Sequence, residues 1–245
     1  MNLKDKTIRI LGVLIFSVGV LLGMALFGII VWGDFEATMF DPSVKRDAPL
    51  TTLRCPVMMT KAETGTVTAT FTNPLERLIE LYTRAHITEG YVTLMREINT
   101  TLPLDPGETK PLQWTVTSDD AAFGRLILVK VTVNRKYPLP SRQGTCGILV
   151  VGLPYFTGTQ IFAFTFAVSL LSMAGGAGLW GVANRPLKEL GLDVISAMGA
   201  LAGSVLVGTI VGLRGSWMFG GLIFVFTVLL IGAIIGYFVN RGGRR

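Results

Sequence analysis

The chain is poor in the residues from which most catalytic and metal sites are built. Its 245 residues include one histidine, His86, and two cysteines, Cys55 and Cys146. Zinc sites and bis-histidine haem sites need more ligands of these types than this chain supplies. The sequence also lacks a Gly-x-Ser-x-Gly elbow, a Walker-type loop and a Gly-x-Gly-x-x-Gly motif placed after a strand. We therefore expect no enzyme activity, no cofactor and no metal site, and an exposed or half-buried His86 on a strand.

Charge is equally scarce. Only 16% of the residues are charged and the mean hydropathy is +0.56, whereas soluble domains are about 25% charged. This composition argues against a freely soluble protein. Runs of about 20 apolar residues predict transmembrane helices, and four uncharged runs of this kind occur at about 10–32, 159–183, 194–213 and 217–239.

The first apolar run follows a basic N-terminus, as in a secretory signal peptide. Its length of about 22 residues exceeds the 7–15 apolar residues of a signal sequence. We therefore expect a retained membrane anchor. Tyr155 and Trp217 lie near the ends of other predicted spans, where aromatic residues are typical of the membrane interface.

The basic residues predict the orientation of the spans. The tails 1–9 and 241–245 and the link 184–193 together carry eight Lys and Arg, whereas residues 34–156 carry 13 basic and 13 acidic residues. Short cytoplasmic segments of membrane proteins are rich in Lys and Arg. We therefore expect a multi-pass protein of the cell membrane with both termini cytoplasmic and 34–156 extracytoplasmic. The net charge of +6 is then an orientation signal, and we expect no nucleic-acid partner.

These inferences divide the chain into five parts. Residues 1–33 form the N-terminal tail and the first transmembrane helix, and 34–156 form an extracytoplasmic β-sandwich domain. Residues 157–183 form the second transmembrane helix and 184–193 a cytoplasmic loop. Residues 194–245 contain the third and fourth transmembrane helices and a basic C-terminal tail.

The segment between the first two spans has the period-2 alternation of β-strands. The pattern is plainest at 66–72, where Val67, Ala69 and Phe71 alternate with threonines. About seven short strands separated by turn residues predict an antiparallel β-sandwich, although 78–85 would also suit a short helix. The predicted strands are 51–59, 66–72, 78–85, 91–98, 112–117, 126–133 and 146–151.

One part of this segment resembles a known family. Residues 102–109 read Leu-Pro-Leu-Asp-Pro-Gly-Glu-Thr and 112–116 read Leu-Gln-Trp-Thr-Val. This resembles bacterial immunoglobulin-like modules, in which a Pro-Gly-Glu turn precedes a strand. The resemblance implies an all-β immunoglobulin-like sandwich with an interaction or spacer role.

Both cysteines fall in the predicted extracytoplasmic segment, Cys55 in its first strand and Cys146 in its last. An oxidising compartment permits a disulfide, so we expect Cys55 and Cys146 to be joined. The alternatives are two buried free thiols or ligation of another group.

The predicted spans contain small residues at four-residue spacing. Small residues at this spacing let helix backbones approach closely, which drives helix association in membranes. This pattern predicts helix packing, either within the four-helix bundle, which we slightly favour, or against a partner subunit. The residues are Gly19, Gly23, Gly176, Gly178, Ser196, Ala200, Ser204, Gly208, Gly212, Gly232 and Gly236.

Together these features favour a non-catalytic accessory or scaffold subunit of a multi-subunit membrane complex. Its partners would be other membrane-protein subunits and the lipid bilayer, with a homo-oligomer as a further possibility. Two alternatives remain at this stage: a pore or small-solute transport component, and a surface receptor or adhesion protein.

Overall fold

A computed structural model describes residues 3–41, 47–186 and 189–242. In the described residues the order of elements is α1 (Leu3–Met39), β1 (Ala48–Pro49), β2 (Met58–Thr60), β3 (Gly65–Thr72), β4 (Ile79–Glu89), β5 (Tyr91–Leu104), β6 (Thr109–Val116), a short 3-10 turn (Ser118–Asp120), β7 (Leu126–Val133), β8 (Arg142–Val151), α2 (Gly158–Ala183), α3 (Glu189–Leu213) and α4 (Trp217–Gly242). The chain forms two compact units, Met1–Val31 with Ala163–Arg245 and Trp32–Phe162. We call them the helical unit and the β unit.

The helical unit contains the apolar helices that the sequence predicts. By length and composition, four helices in the described part of the chain could cross a membrane, at Lys6–Met39, Gly158–Ala183, Gly191–Leu213 and Trp217–Asn240. The centre of the unit is one face of α1, where apolar residues recur every three or four positions. This face packs against Met173 of α2 and Val205 of α3, and its buried members are Phe16, Val20, Met24 and Phe27.

Polar contacts join helices within the same unit. The Ser169 hydroxyl of α2 donates a hydrogen bond to the Gly19 carbonyl of α1 at 2.7 Å. The Arg9 guanidinium donates to the Ala183 carbonyl at 3.1 and 3.2 Å. A cation at a helix C-terminus offsets the negative end of the helix dipole, so Arg9 stabilises the last turn of α2.

The β unit has two sheets that share one core. A six-stranded sheet has the order β1-β8-β7-β4-β5, with β2 also paired to β8, and β3 and β6 form a two-stranded sheet. Val67 and Phe71 of the small sheet and Val129 and Ile148 of the large sheet are buried in the same cluster. The unit is therefore a two-layer sandwich. The prediction of an antiparallel sandwich needs one correction, because β1 and β2 pair with β8 in parallel.

The predicted strands are present with different bounds in several places. Residues 79–89 form a long strand, so the short helix considered for 78–85 is wrong. Strand β5 continues to Leu104 because it pairs with β4 along its length, from Ile79 opposite Leu104 to Glu89 opposite Tyr91. Within 51–59, only the last two residues belong to a strand, and Arg54 forms an isolated bridge with Thr68.

The predicted disulfide between Cys55 and Cys146 is confirmed, with 6.5 Å between the two Cα atoms. Cys146 lies in β8 as expected. Cys55 lies between the Arg54 bridge and β2 rather than inside a strand. The disulfide therefore fixes an irregular segment to the large sheet.

Strand β7 is buried on both faces. Its sequence is Leu-Ile-Leu-Val-Lys-Val-Thr-Val, and every residue after the first is buried. Ile127, Val129 and Val131 face the sandwich core, whereas Leu128 packs against Ala37 and Phe40 at the end of α1. A strand covered on both faces needs an unbroken apolar run, and Lys130 interrupts this one.

Candidate functional site

The last turns of α1 lie on the outer face of the large sheet. Helix α1 continues seven residues past Trp32, where the apolar run ends, and these turns belong to the β unit. A Cβ atom added to Gly147 of β8 would lie 2.3 Å from the Gly33 carbonyl oxygen. The two backbones therefore touch, and only glycine permits this approach. The Asp34 side chain is buried and accepts a hydrogen bond from the Gly147 backbone.

Lys130 closes the C-terminal end of this helix. Its side chain is buried, and its ammonium donates hydrogen bonds to the carbonyl oxygens of Phe40, at 3.3 Å, and of Asp41. The last carbonyls of an α-helix have no partners within the helix, and a cation is stabilising there. Asp41 has a positive φ of 48°, the conformation in which a helix commonly ends. The lysine in β7 is therefore a helix cap supplied by the sheet.

His86 lies beside Lys130 and between two carboxylates. His86 of β4 is the direct cross-strand neighbour of Lys130 in β7. The His86 ring is 2.7 Å from the Asp41 carboxylate through Nδ1 and 3.2 Å from the Glu97 carboxylate through Nε2. An imidazolium can donate from both nitrogens, so this form satisfies both carboxylates. The histidine is buried, so the expectation of an exposed or half-buried side chain is wrong. The sequence does not show that the end of α1 covers this strand.

Glu97 continues the cluster onto β5. Its carboxylate accepts a hydrogen bond from the Asn99 side chain at 2.7 Å and pairs with the Arg84 guanidinium at 3.3 Å. The Asn99 hydrogen bond, followed by the charges of Arg84 and His86, lowers the pKa of Glu97 below its usual value. Glu97 therefore stays ionised and holds His86 from the solvent side.

We call Asp41, Arg84, His86, Glu97 and Lys130 the helix-end cluster. It contains three basic and two acidic side chains, and each carboxylate contacts at least one basic group. Both ring nitrogens of His86 contact carboxylates, so neither is left to activate a nucleophile. Among the described residues, no group of three or more His, Cys, Asp and Glu could hold a metal ion. The arrangement is suited to fixing the end of α1 on the sheet.

The beginning of α2 is fixed to the β unit by a second set of polar contacts. The Glu63 carboxylate accepts hydrogen bonds from the backbone N–H groups of Thr60, at 3.0 Å, and Gly158, at 2.8 Å. Thr157 and Gln160 bond to each other's backbone N–H groups, which is a capping box. An acidic group at a helix N-terminus also complements the helix dipole. Both helices that leave the β unit are thus bonded to it at their ends.

The residues predicted for helix packing divide into two sets. In the first set, an added Cβ atom would lie within 3.0 Å of a neighbouring element of the helical unit. The neighbours are Met173 and Ser169 for Gly19, Val205 for Gly23, Phe16 for Gly176, Phe27 for Gly208 and Ile30 for Gly212.

In the second set, no heavy atom of a neighbouring element lies within 4 Å of the added Cβ atom. This set contains Gly178 of α2 and Gly232 and Gly236 of α4. The α3 pattern contains three further residues, Ser196, Ala200 and Ser204. Ser204 donates to the Leu201 carbonyl in its own helix at 2.9 Å, and Ser196 and Ala200 are exposed.

Sequence reasoning did not find Lys130, Asp41 and Glu63 as a set of contacts at helix ends. One signal was available for Lys130. In β7 the lysine is the only charged residue and all the others except Thr132 are apolar. This pattern indicates a strand buried on both faces, in which the lysine has a polar partner. No local pattern of this kind marks Asp41 or Glu63, whose partners lie far away in the sequence.

No protein-family model matches the sequence, and no curated protein matches it. Similar solved structures include the CARDB domain of a Pyrococcus furiosus protein in complex with di-metal ions, with 15% identity, a TM-score of 0.32 and coverage of 41% of this chain and 90% of that chain. A β-glucuronidase from Bacteroides uniformis has 20% identity and a TM-score of 0.29, over 39% of this chain and 12% of the enzyme. A cycloisomaltooligosaccharide glucanotransferase from Paenibacillus sp. has 14% identity and a TM-score of 0.33, over 45% of this chain and 15% of the enzyme. This chain spans a small part of either enzyme's length, and at such low TM-scores the likenesses carry no argument about its activity.

Proposed function

We propose that this chain is a non-catalytic accessory or scaffold subunit of a multi-subunit complex in the cell membrane. Its four apolar helices would cross the membrane and carry an extracytoplasmic immunoglobulin-like sandwich. The length and composition of the four helices support the insertion. The basic tails and the charge-balanced segment 34–156 support the orientation, by the positive-inside rule.

The observation that carries the proposal is an unused small-residue face on α4. Gly232 and Gly236 are four residues apart and therefore share one face of the helix. Ile223, which packs on the core of the helical unit, precedes Gly232 by nine residues, which is two and a half turns. The glycine face therefore points away from the packed side of α4. Small residues on an outward face allow close contact with a helix of another subunit.

The fixed helix ends support the same proposal. Lys130 and the helix-end cluster hold the end of α1, and Glu63 holds the beginning of α2. These contacts order the parts of α1 and α2 that belong to the β unit, so this unit is suited to present a defined surface to other subunits.

The pore alternative receives less support from the geometry. In that alternative, the small residues of α3 would line a passage for the solute. An added Cβ atom on Gly208 would instead lie 2.3 Å from the Phe27 ring, and one on Gly212 would lie 3.0 Å from Ile30. The space beside these two glycines is therefore occupied by side chains of α1 within the helical unit.

The test is co-purification of the full chain in a mild detergent, with Gly232→Leu as the variant. Leucine at this position would fill the outward face, so we expect the partner chains of the wild type to be lost. Ala233→Leu is the matched control, because Ala233 is also small and exposed but lies 100° around the helix. We expect this control to retain the partners.

Two results would contradict the proposal. The first is a wild-type protein that runs as a lone monomer with no co-purifying chain. The second is a Gly232→Leu variant that keeps the same partners in the same amounts as the control.

A further inference from the structure

The strand directions place several distant loops at one end of the sandwich. Strand β8 ends at Val151, and the chain then leads into α2. Strand β7 begins beside this point, because Leu126 pairs with Leu149. Strand β4 ends and β5 begins at the same end, since Ile87 pairs with Val129 near the start of β7. We call this the α2 end of the β unit.

Large apolar side chains are exposed at the α2 end. We call this set the apolar rim, and it is formed by Tyr91, Val92, Leu94, Phe123, Tyr155 and Phe156. Two of its members are highly exposed, with 69% of the Phe123 surface and 89% of the Tyr155 surface accessible. Only Tyr155 and Phe156 adjoin α2 in the sequence. The other four residues lie at this end because of the directions of the strands that carry them.

The rim residues outside the α2 connection are held in defined positions. The β4–β5 register shifts between Thr88 and Glu89, where Thr88 pairs with Met95 and Glu89 with Tyr91. Residues 92–94 therefore bulge from the edge of the sheet. The rings of Tyr91 and Phe123 contact edge to face, with 5.7 Å between their centres. The Phe123 N–H group donates to the Gly90 carbonyl at 2.9 Å, which joins the two loops.

The opposite end of the sandwich has a different character. Its turns, at 73–78, 105–108 and 134–141, expose two large apolar side chains, Leu78 and Tyr137. These turns and the adjoining strand starts are rich in charge, with Glu76, Arg77, Asp105, Glu108, Lys110, Arg135 and Lys136. Charged residues also occur at the α2 end, at Lys61, Glu63, Glu89, Asp119 and Arg125. The two ends of the domain therefore differ in the number of exposed large apolar side chains, and the end with more of them is the one that continues into an apolar helix.

We propose that the apolar rim lies in the head-group region of the outer leaflet of the membrane, so that the sandwich itself contacts lipid. The inference rests on the proposed function, in which α2 crosses the membrane. A helix that enters the bilayer at the α2 end brings this end of the β unit to the membrane surface. Aromatic side chains are favoured at that depth, whereas an apolar patch of this kind is unusual in contact with water.

The test measures the depth of a nitroxide label on the full chain in nanodiscs of phosphatidylcholine and phosphatidylglycerol. The native cysteines form a disulfide, so a single introduced cysteine takes the label. Tyr91→Cys reports on the rim, and Tyr137→Cys, an exposed tyrosine at the opposite end, is the matched control. Val225→Cys on the exposed side of α4 reports whether the helices are in the membrane at all.

We expect the label at Tyr91→Cys to be relaxed more strongly by oxygen, which concentrates in lipid, than by a water-soluble nickel chelate. We expect the order of the two reagents to reverse at Tyr137→Cys. If Tyr91→Cys does not fold, Leu94→Cys places the label on the same rim, and the same result is expected there.

The outcomes separate this proposal from the proposed function. A label at the rim that behaves like Tyr137→Cys, together with a lipid-exposed Val225→Cys, overturns the rim proposal and leaves the membrane insertion standing. A water-exposed Val225→Cys overturns the insertion and the rim proposal together. A rim label shielded from both reagents overturns the lipid contact in favour of a protein partner or a second copy of the chain.

Discussion

Replacing Lys130 by methionine tests whether the sheet holds the end of α1. Methionine keeps the unbranched apolar stem of the side chain and removes the ammonium group. The change leaves the Phe40 and Asp41 carbonyls without the donor that now closes the helix.

The expected cost follows from the burial of the site. Lys130 is 2% exposed, so water cannot replace the lost hydrogen bonds without opening the structure. Hydrogen bonds to charged groups contribute about 1.5–3 kcal/mol each, and a cation at a helix C-terminus contributes up to about 2 kcal/mol. Two such hydrogen bonds are lost, so we expect a loss of about 3 kcal/mol or more for local opening of the helix end.

Hydrogen exchange of the full chain in nanodiscs measures this loss where it occurs. The Phe40 amide donates to the Glu36 carbonyl at 2.9 Å and exchanges only when the last turn opens. A loss of 3 kcal/mol or more corresponds to exchange about 100-fold faster or more, at 1.4 kcal/mol for each factor of ten. Lys110→Met is the control, because Lys110 forms a half-exposed pair with Glu108, and such pairs contribute about 0–1 kcal/mol.

Two results would refute this reasoning. One is a Lys130→Met protein in which exchange at residues 36–41 is nearly unchanged. The other is an equal acceleration in Lys110→Met, which would show that loss of any lysine from the β unit has the same effect.

Two further predictions concern the same face of the sheet. The pKa of Glu97 is lowered, chiefly by the Asn99 side chain, so the contribution of Glu97 to stability is complete above the ordinary value of 4.5 and is lost as the pH falls through the lowered pKa. We expect Glu97→Gln to lower the thermal midpoint at neutral pH and to make the midpoint fall less on acidification. A variant whose midpoint falls as much as that of the wild type would contradict this. Gly147→Ala places a methyl group 2.3 Å from the Gly33 carbonyl oxygen and is expected to destabilise the helix–sheet contact by about 1–3 kcal/mol, seen as faster amide exchange at 33–41. Gly152→Ala, where nothing lies within 4 Å, is its control and should have no effect.

The parts of the fold that sequence predicts are those with a local period. The four long helices follow from uncharged runs of about 20 residues, and β3 follows from alternating threonines and apolar residues. The disulfide follows from two cysteines in a segment with no competing ligands. In each case the information lies within a few residues, or in a pair that has no other partner.

The helix-end cluster has no such local period. Asp41 and His86 are separated by 45 residues and Lys130 lies 89 residues from Asp41. Each of these residues alone is typical of an exposed position. Their burial depends on where the end of α1 lies on the sheet, which is a property of the tertiary structure. The parallel pairing of β1 and β2 with β8 is of the same kind, because a strand of two or three residues carries too little pattern to choose its neighbour.

The first helix shows why the end of an apolar run and the end of a helix differ. The apolar run ends at Trp32 because the charged residues Asp34 and Glu36 follow it. Hydropathy reports whether side chains prefer an apolar environment, and it does not report whether the backbone is helical. A helix ends where its last carbonyls find other partners. For α1 the partner is the ammonium of Lys130, 90 residues further along the chain than Phe40. The seven residues between the two points belong to a helix in secondary structure and to the β unit in packing. The charges that end the apolar run at 34 and 36 therefore mark where α1 changes its surroundings from the helical unit to the sheet, while the helix itself continues to Met39.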